Sequence, residues 1–338
     1  MIAQLTVKHL QSAACIRRHP VPILSRSDLP YASTCLFNAG VCKFGGKYIM
    51  LFRNDVGEWE NPKFHTTNLG LAFSDDGIQW GVHPNPVWGS NDPELLRATD
   101  DDYWRVYDPR LIPMHGRCYV CFACDTHHGL RGGVAVTDDF ETFEVLSLSV
   151  PDNRNMVLFP EKIDGKFARL ERPMPVYSRL GDRFDIWYSD SPDLKYWGNS
   201  HLTASTDQFH WINDKIGPAA PPIKTKRGWL TTVHCVDRDE SRGKRGWEAS
   251  WKKRYTAGLM LLDLEQPWKV IGLCRHPLIS PETEYECTGF RDEVIFPGGM
   301  ILEDDGEVKI YYGAADTCEA LATAHVDDLL ALCKPLKI

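Results

Sequence analysis

Short apolar runs separated by polar turns recur along the chain, and they predict β-strands rather than helices. Five of these runs share one pattern, in which a glycine-containing turn precedes β-prone apolar or aromatic residues and a polar residue ends the run. The five copies are Gly45–Arg53, Gly116–Asp125, Gly181–Asp190, Gly228–His234 and Gly306–Asp316. Five similar strands predict five repeats of one β-sheet unit.

A second pattern indicates that the sheets are built with tight turns. A strand ends in Ser or Thr, an acidic turn follows, and an aromatic residue closes the motif, as in Ala72–Trp80, Val136–Phe143 and Ala204–Trp211. The aromatic residue can pack over the neighbouring strand. The glycines of the first pattern lie about 45 to about 80 residues apart, a spacing typical of four-stranded propeller blades with loop insertions.

Helical spacing is confined to the two ends of the chain, at Met1–Ala14 and Val326–Cys333. No alternation of strands and helices and no glycine-rich strand-to-helix turn indicates a parallel α/β fold. The chain is therefore predicted to be all-β, a single five-bladed β-propeller of residues 1–338 with short terminal helices. Residues 1–30 are expected to form an N-terminal extension, and residues 324–338 a C-terminal helical tail.

The composition excludes some classes of function. The chain of 338 residues has a net charge of −8, which argues against a nucleic-acid partner because binding the phosphate backbone needs a broad basic face. Met1–Ser12 lacks the features of an export signal, and no apolar stretch reaches the ~20 residues of a membrane helix. An odd number of cysteines, eleven, predicts mostly reduced thiols and a cytoplasmic location.

Cys118, Cys121 and Cys124 superficially suggest a metal-ligand set. They lie in one apolar run, however, and a strand sends residues three apart to opposite faces. We therefore expect buried strand cysteines and no metal site.

Two stretches carry candidate chemistry. Asp108 stands in Tyr107-Asp108-Pro109-Arg110, where it could form a turn before proline or act as an acid. Residues 152–173 place several Arg and Lys residues beside apolar neighbours, which costs free energy unless the charges are paired or meet an anion. Glu161 and Glu171 could supply such pairs.

Four stretches together resemble glycoside hydrolase family 130, the β-mannoside phosphorylases. They are Tyr-Asp-Pro-Arg at 107–110, the long motif at 153–173, Pro-Pro-Ile-Lys at 221–224 with its continuation to Leu230, and Tyr-Gly-Ala-Ala-Asp-Thr at 312–317. The match runs from about Asn38 to Thr323. The resemblance implies a five-bladed propeller that cleaves β-1,4-linked mannosides with phosphate and inversion, giving α-mannose 1-phosphate.

The resemblance also implies roles for individual residues. Asp108 would be the single catalytic acid, passing its proton through the 3-hydroxyl of the mannosyl unit. One acid suffices because phosphate arrives already nucleophilic, whereas water would need a second carboxylate as base. Phosphate would be bound by Arg154, Asn155, Arg172, Lys224, His234 and Tyr255. The sugar would be bound by Asn38, Arg53, Asn54, Tyr107 and Asp316.

The expected partners are a β-mannoside oligosaccharide and inorganic phosphate as co-substrate, with no metal and no organic cofactor. Family analogy favours a homo-oligomer. Glucose, N-acetylglucosamine, mannose and mannooligosaccharides all remain open as acceptors. The charged segment Asp237–Tyr255 has two interpretations: it is a solvated loop, or it forms a lid or subunit contact beside the acceptor. Together with the chain length, this segment favours a mannooligosaccharide or a mannosyl-N-acetylglucosamine as the substrate.

Two alternatives remain open at the level of the sequence. A β-mannoside hydrolase of the same family would lose the cationic phosphate set and gain an acidic base, for which Glu293 is the candidate. A non-catalytic sugar-binding propeller would need neither Asp108 nor a phosphate site.

Overall fold

The computed structural model describes residues 10–58, 64–174, 184–242 and 251–336, and these form 22 β-strands and three short α-helices. The strands are β1 (Arg17–Arg18), β2 (Leu24–Ser25), β3 (Cys35–Phe44), β4 (Lys47–Gly57), β5 (Phe64–Ser74), β6 (Gly81–Val82), β7 (Arg105–Met114), β8 (Arg117–Thr126), β9 (Gly129–Thr137), β10 (Glu144–Leu148), β11 (Asn153–Leu158), β12 (Phe167–Pro173), β13 (Ile186–Ser191), β14 (Gly198–Ala204), β15 (Lys215–Pro218), β16 (Ile223–Thr225), β17 (Gly228–Arg238), β18 (Lys253–Leu262), β19 (Val270–Leu273), β20 (Ile295–Leu302), β21 (Glu307–Ala314) and β22 (Cys318–His325). The helices are α1 (Pro93–Thr99), α2 (Glu284–Cys287) and α3 (Val326–Leu332).

The strands form five antiparallel sheets, which are the blades of a five-bladed β-propeller. Blades I, II and III contain β3–β6, β7–β10 and β11–β14, hydrogen-bonded in chain order. Blade IV contains β15, β17, β18 and β19, with β16 added beside β17, and blade V contains β20, β21 and β22. The first strand of each blade is the inner one: β3 packs against β7 and β20, and β11 packs against β7 and β15. The predicted fold class is confirmed.

Both ends of the described chain attach to blade V. From the region expected as an N-terminal extension, β1 and β2 each pair with β22, and α3 follows β22 directly. The predicted helix at Val326–Cys333 is confirmed and ends one residue earlier. Residues 10–14 are not helical, and the rest of the helix predicted at Met1–Ala14 lies outside the described residues. No helix among the described residues is long and apolar enough to cross a bilayer.

The repeated glycine pattern marks the second strand of four blades, namely β4, β8, β17 and β21. In blade III the predicted copy, Gly181–Asp190, falls on the third strand instead, and its first three residues lie outside the described part. The second strand of blade III is β12, which follows a turn at Asp164–Gly165. Gly165 has φ +76°, a left-handed conformation that glycine adopts without strain. The pattern therefore identified five blades but not five equivalent strands.

The three clustered cysteines lie on β8 and are buried. Cys118 and Cys124 face the core between blades I and II, whereas Cys121 faces a second core with Leu158 of blade III. They therefore point to opposite faces of the strand, as its two-residue period predicts. One metal ion could not bind all three.

Arg110 joins three blades where the inner strands meet. Its guanidinium donates hydrogen bonds to the carbonyl oxygens of Ala219 at 2.5 Å and Pro297 at 3.4 Å, which belong to blades IV and V. Burial lowers the pKa of Arg110 to about 10, against the opposing effect of Asp108 and Glu319. Because a buried cation must be matched by acceptors and counter-charges, Arg110 fixes these strands relative to one another.

Glu319 links blade V to blade I close to Arg110. Its Oε1 accepts a hydrogen bond from the backbone N–H of Ala39 at 2.7 Å, while its buried Oε2 has no hydrogen-bond partner within the described residues. Burial raises the pKa of Glu319 to about 8, although Ala39 and Arg110 oppose the shift. This carboxyl group is therefore protonated at neutral pH in the folded protein.

We predict that Glu319→Gln stabilises the protein progressively more as pH rises. The folded-state pKa lies above the unfolded one, so stability contributed by the protonated group is complete at low pH and is lost between about pH 4.5 and about 8. The free-energy difference between variant and wild type should grow by at most ~1.4 kcal/mol per pH unit across that window. Urea unfolding at pH 5, 6.5 and 8 measures it.

The matched control is Glu265→Gln, because Glu265 is exposed and solvent reaches it in both states. If the difference in unfolding free energy between Glu319→Gln and wild type stays constant with pH, the burial of Glu319 does not perturb its ionisation.

Candidate active site

Three inner strands carry the same backbone irregularity. The pairing register shifts after Phe37 in β3, after Tyr107 in β7 and after Arg154 in β11, and the residue that follows has a left-handed conformation. These residues are Asn38 at φ 54°, Asp108 at φ 52° and Asn155 at φ 57°. A β-bulge re-aims a side chain, and Asn and Asp tolerate the left-handed region better than other side chains. Each bulge therefore changes the direction of a polar side chain on an inner strand.

Asp108, on blade II, is contacted by side chains from the two neighbouring blades, I and III. Its Oδ1 accepts hydrogen bonds from Asn38 Nδ2 at 3.0 Å and from Arg53 Nη1 at 3.4 Å. Its Oδ2 accepts from Arg154 Nη2 at 2.8 Å. The side chain is only 3% exposed, so both oxygens depend on these protein donors. Side chains that are distant in sequence therefore converge on one carboxylate.

The charges around Asp108 decide its ionisation. Burial by itself would raise the pKa of Asp108, but Arg53, Arg154 and Arg110 outweigh burial and lower it to about 2. The carboxyl group is therefore ionised at neutral pH in the free protein. It can donate a proton only after the influence of at least one arginine is reduced.

Tyr107 holds these arginines in place. The centre of its ring lies 4.7 Å from the guanidinium carbon of Arg53 and 5.5 Å from that of Arg154, and its hydroxyl donates to Asp125 Oδ1 at 2.7 Å. Cations bind favourably over an aromatic face. Tyr107 was expected to contact the sugar; the residue is 2% exposed, its ring packs against these cations, and it also contributes to the lining of a cavity described below. Contact between Tyr107 and a sugar stays a prediction.

A second group of basic side chains lies beside Asp108, on blades III and IV. Arg172 Nη1 donates to His234 Nε2 at 3.4 Å, which leaves the His234 proton on Nδ1. Burial, followed by repulsion from Arg172, lowers the pKa of His234 well below its usual range, so the ring is neutral. Burial and then Arg154 lower the pKa of Arg172 to about 9. Gly217 leaves the room for this ring, because a Cβ there would lie 2.3 Å from His234.

Lys215 and Tyr255 complete this group. The Nζ of Lys215 lies 5.6 Å from the centre of the Tyr255 ring, which stacks near His234 with centroids 6.2 Å apart. Burial, then Arg172, lowers the pKa of Lys215 well below its usual range. The sequence reasoning missed Lys215. Its only sequence signal is a charged residue at the start of the short apolar strand β15.

This basic group has unused hydrogen-bond donors. Within the described residues, the buried Nε of Arg154, Nε of Arg172 and Nδ1 of His234 have no hydrogen-bond partner. Buried donors without partners are costly, and the basic side chains beside them repel one another. An anion with several oxygens would relieve both costs. We call Arg154, Arg172, Lys215, His234 and Tyr255 the basic cluster.

Asp108 lines one of two neighbouring cavities, which share Arg53, Arg154 and Arg291 as their common wall. The first has a volume of about 420 Å³ and includes Asn38, Asp108, Lys215, Trp251, Tyr255 and Asp316 in its lining. The second has a volume of about 360 Å³ and includes Phe64, His65, Thr66, Trp104, Arg105 and Tyr107 in its lining. Arg154 therefore stands between the two cavities, and Asp108 faces the first.

Most of the site residues expected from the sequence are brought together here. Asp316 is buried beside the first cavity, at φ 51°, and accepts from Arg291 Nη1 at 2.9 Å. Burial raises its pKa, although Arg291 and Arg53 oppose the shift. Asn155 occupies the blade III bulge next to Arg154.

Two expected site residues lie elsewhere. Lys224 is on β16, half exposed, and forms an ion pair with Glu161. The side chain of Asn54 donates to the Ala32 carbonyl oxygen at 3.2 Å and to Asn68 Oδ1 at 3.0 Å, and it lines neither cavity. Asn54 follows Arg53 on β4, and adjacent strand residues point to opposite faces. The structure therefore places neither residue in the site.

The segment Asp237–Tyr255 borders the first cavity at both of its described ends. Arg238, Trp251, Lys252 and Lys253 contribute to the cavity wall. Trp251 stacks on Tyr255 with centroids 5.8 Å apart, and its Nε1 donates to the Asp292 carbonyl oxygen at 3.0 Å. Residues 243–250, including Trp247, lie outside the described residues. A lid or subunit contact at this segment stays a prediction.

Comparisons with known proteins identify the family of this chain. The glycoside hydrolase 130 family, described as β-1,4-mannooligosaccharide phosphorylase, matches residues 17–335. A β-1,4-mannooligosaccharide phosphorylase from Ruminococcus albus is 35% identical over 319 residues, covering 91% of this chain and 88% of the relative. A 1,2-β-oligomannan phosphorylase from Thermoanaerobacter is 28% identical, covering 91% and 95%.

The solved structure of β-1,2-mannobiose phosphorylase from Listeria innocua, in complex with β-1,2-mannobiose, has the same fold. It superposes with a TM-score of 0.75 at 23% identity and covers 94% of this chain and 98% of its own. The family match extends over nearly the whole propeller, including every strand that contributes to the site. The chain belongs to glycoside hydrolase family 130, the mannoside phosphorylases.

Proposed function

We propose that this enzyme cleaves β-1,4-linked mannosides with inorganic phosphate, inverting the anomeric centre to release α-mannose 1-phosphate and a shortened sugar. The observation that carries the proposal is the position of Arg154. It bonds to Asp108 through one nitrogen and belongs to the basic cluster, whose buried donors lack partners. An acid and an anion site are therefore coupled through one side chain.

The basic cluster is suited to phosphate. Arginine matches the oxygens of phosphate with parallel hydrogen bonds, and Lys215 adds a compact charge. His234 can donate its Nδ1 proton while its Nε2 accepts from Arg172. Phosphate in this cluster would stand beside Asp108 in the first cavity. We propose that the reaction uses phosphate as co-substrate and requires neither a metal ion nor an organic cofactor.

A carboxyl group with a pKa of about 2 is ionised at neutral pH and has no proton to donate. The contact between Arg154 and Asp108 explains how Asp108 could nevertheless act as an acid. Bound phosphate attracts Arg154, weakening its hold on Asp108 Oδ2, so the pKa of Asp108 rises when the site is filled. A phosphate oxygen then bonds to the anomeric carbon as the glycosidic bond breaks. The leaving oxygen takes the Asp108 proton, directly or through the 3-hydroxyl of the mannosyl unit, and solvent restores that proton.

The β-1,4 linkage is supported by the 35% identity to the Ruminococcus albus enzyme. The Thermoanaerobacter and Listeria enzymes are named for β-1,2-linked substrates, so β-1,2 linkage is the second candidate. The two candidates share the mannosyl unit, the acid and the phosphate site. They differ only in how the leaving sugar is oriented.

Hydrolysis is less well supported. Water needs a carboxylate base, for which Glu293 was the candidate. Glu293 Oε2 lies 3.6 Å from Arg242 Nε, and neither cavity includes Glu293 in its lining. The basic cluster would also have no use in hydrolysis.

Incubation with β-1,4-mannobiose with and without phosphate, followed by anomer-resolved NMR, distinguishes a phosphorylase from a hydrolase. Phosphate-dependent α-mannose 1-phosphate is the expected product, whereas free mannose without phosphate indicates a hydrolase.

We predict that Asp108→Asn lowers kcat for phosphorolysis about 10³-fold, within the range expected for loss of a general acid. Sugar binding should be largely retained, because Asn keeps an oxygen for Arg154. The measurements are α-mannose 1-phosphate release and sugar affinity by calorimetry. Unchanged product release would exclude Asp108 as the acid, and sugar binding without turnover in the wild type would favour a non-catalytic propeller.

We predict that Lys215→Met raises KM for phosphate at least tenfold, because hydrogen bonds to charged groups contribute about 1.5–3 kcal/mol. Lys224→Met is the matched control: it removes the same charge and should change KM for phosphate by less than about twofold, since Lys224 pairs with Glu161 outside the cavities. Initial rates at varied phosphate and saturating mannoside measure both. A larger increase in KM for phosphate with Lys224→Met than with Lys215→Met would show that Lys224, and not Lys215, binds phosphate.

A further inference from the structure

The β-bulge at Asn38 and Ala39 in blade I packs directly against the backbone of blade V. A Cβ added to Gly298 would lie 1.8 Å from the Ala39 carbonyl oxygen, and one added to Gly313 would lie 2.7 Å from Asn38 N and 2.6 Å from Asn38 Oδ1. A side chain at either position would therefore require the bulge to move. Blade V thus leaves the bulge only the space that two glycines provide.

Glu319 of blade V binds the backbone of this bulge. Asn38 and Ala39 lie in the register shift between β3 and β4 and pair with no residue of β4. A bulge leaves backbone groups outside the ladder, and Glu319 Oε1 accepts a hydrogen bond from the Ala39 N–H at 2.7 Å. Glu319 is directly opposite Gly313 in the pairing of β21 with β22. The residue that makes room for Asn38 and the residue that binds Ala39 are therefore cross-strand partners.

The direction of the Asn38 side chain depends on this bulge. Asn38 has φ 54°, and its Nδ2 donates to Asp108 Oδ1 at 3.0 Å. A residue in a sparsely populated backbone conformation keeps it only where the surrounding structure holds it there. An extended backbone at Asn38 would direct the side chain elsewhere. The hydrogen bond from Ala39 to Glu319 therefore helps to fix a donor that orients Asp108.

Glu319 acts here as a hydrogen-bond acceptor rather than as a charge. Burial favours its protonated form, and the nearby guanidinium of Arg110 donates to the carbonyl oxygens of Pro109, Ala219 and Pro297. A glutamine would keep a side-chain oxygen for the Ala39 N–H without a charge. A leucine of similar size would leave that N–H without its acceptor.

We propose that Glu319 is a positioning residue for the reaction: by accepting the Ala39 N–H, it holds the blade I bulge so that Asn38 orients Asp108. The inference rests on the proposed function, in which Asp108 is the acid. Glu319 lines neither cavity, so it acts through the bulge and not on the substrate. The basic cluster lies on blades III and IV, away from Glu319, so phosphate binding is not expected to depend on it.

The test separates kcat from KM in three variants, measured as α-mannose 1-phosphate release at varied phosphate and saturating mannoside. Glu319→Leu should lower kcat about tenfold, which corresponds to loss of one hydrogen bond to a charged group, and change KM for phosphate by less than about twofold. Glu319→Gln should keep kcat within about twofold of wild type. Asn38→Gly, which retains the left-handed backbone, should lower kcat as Glu319→Leu does.

The double variant Asn38→Gly with Glu319→Leu shows whether the two residues act in one chain of contacts. Its kcat should equal that of Asn38→Gly alone, because both changes remove the same orientation of Asp108. A purely structural role of Glu319 would give losses that multiply. Losses that multiply, full kcat in Glu319→Leu, or equal losses in Glu319→Leu and Glu319→Gln would each overturn the proposal.

Gly313→Ala tests the same bulge from the other cross-strand partner and serves where Glu319→Leu fails to fold. It should lower kcat with KM for phosphate unchanged, and unchanged kcat would count against the proposal. Gly81→Ala is the matched control, because a Cβ there meets only the Phe73 carbonyl oxygen, at 3.9 Å. Wild type that releases free mannose without phosphate would overturn the proposed function, whereas the ranking of the variants in that hydrolysis would still decide the role of Glu319.

Discussion

The balance of charge around Asp108 is the constraint on which the site depends. One carboxylate, almost entirely buried, faces Arg53, Arg154 and Arg110, and the cations outweigh the cost of burying it. These arginines come from the inner part of blades I, II and III, so the ion pairs hold the blades together as well as the acid. The protein thus stabilises its centre with an ionised carboxylate. In our proposal this carboxylate is the catalytic acid, and phosphate makes it able to carry a proton by competing for Arg154.

The propeller positions this site through its inner strands. A bulge in each of the first three blades changes the direction of Asn38, Asp108 or Asn155 on its inner strand. Below them, Arg110 cross-links the inner strands through backbone carbonyl oxygens. Fold stability and site geometry therefore rest on the same few residues, and a change at Arg110 would affect both.

The two cavities differ in the chemical character of their walls. The cavity with Lys215 and Tyr255 is basic and suits an anion, while the cavity with Thr66 and Trp104 combines polar groups with an aromatic face. Arg53 and Arg154 separate them and both contact Asp108.

The sequence by itself determined the local features of this protein. The two-residue period placed Cys118 and Cys121 on opposite faces, glycine turns counted five blades, and the motifs around Asp108 and Arg154 indicated the family. Only the tertiary structure decided that Lys215 rather than Lys224 joins the basic cluster, that Asn54 lines neither cavity, and that Asp108 is ionised. The reason is physical: strand period and turn formation depend on neighbouring residues, whereas cavity position and pKa depend on burial and on charges contributed by distant blades.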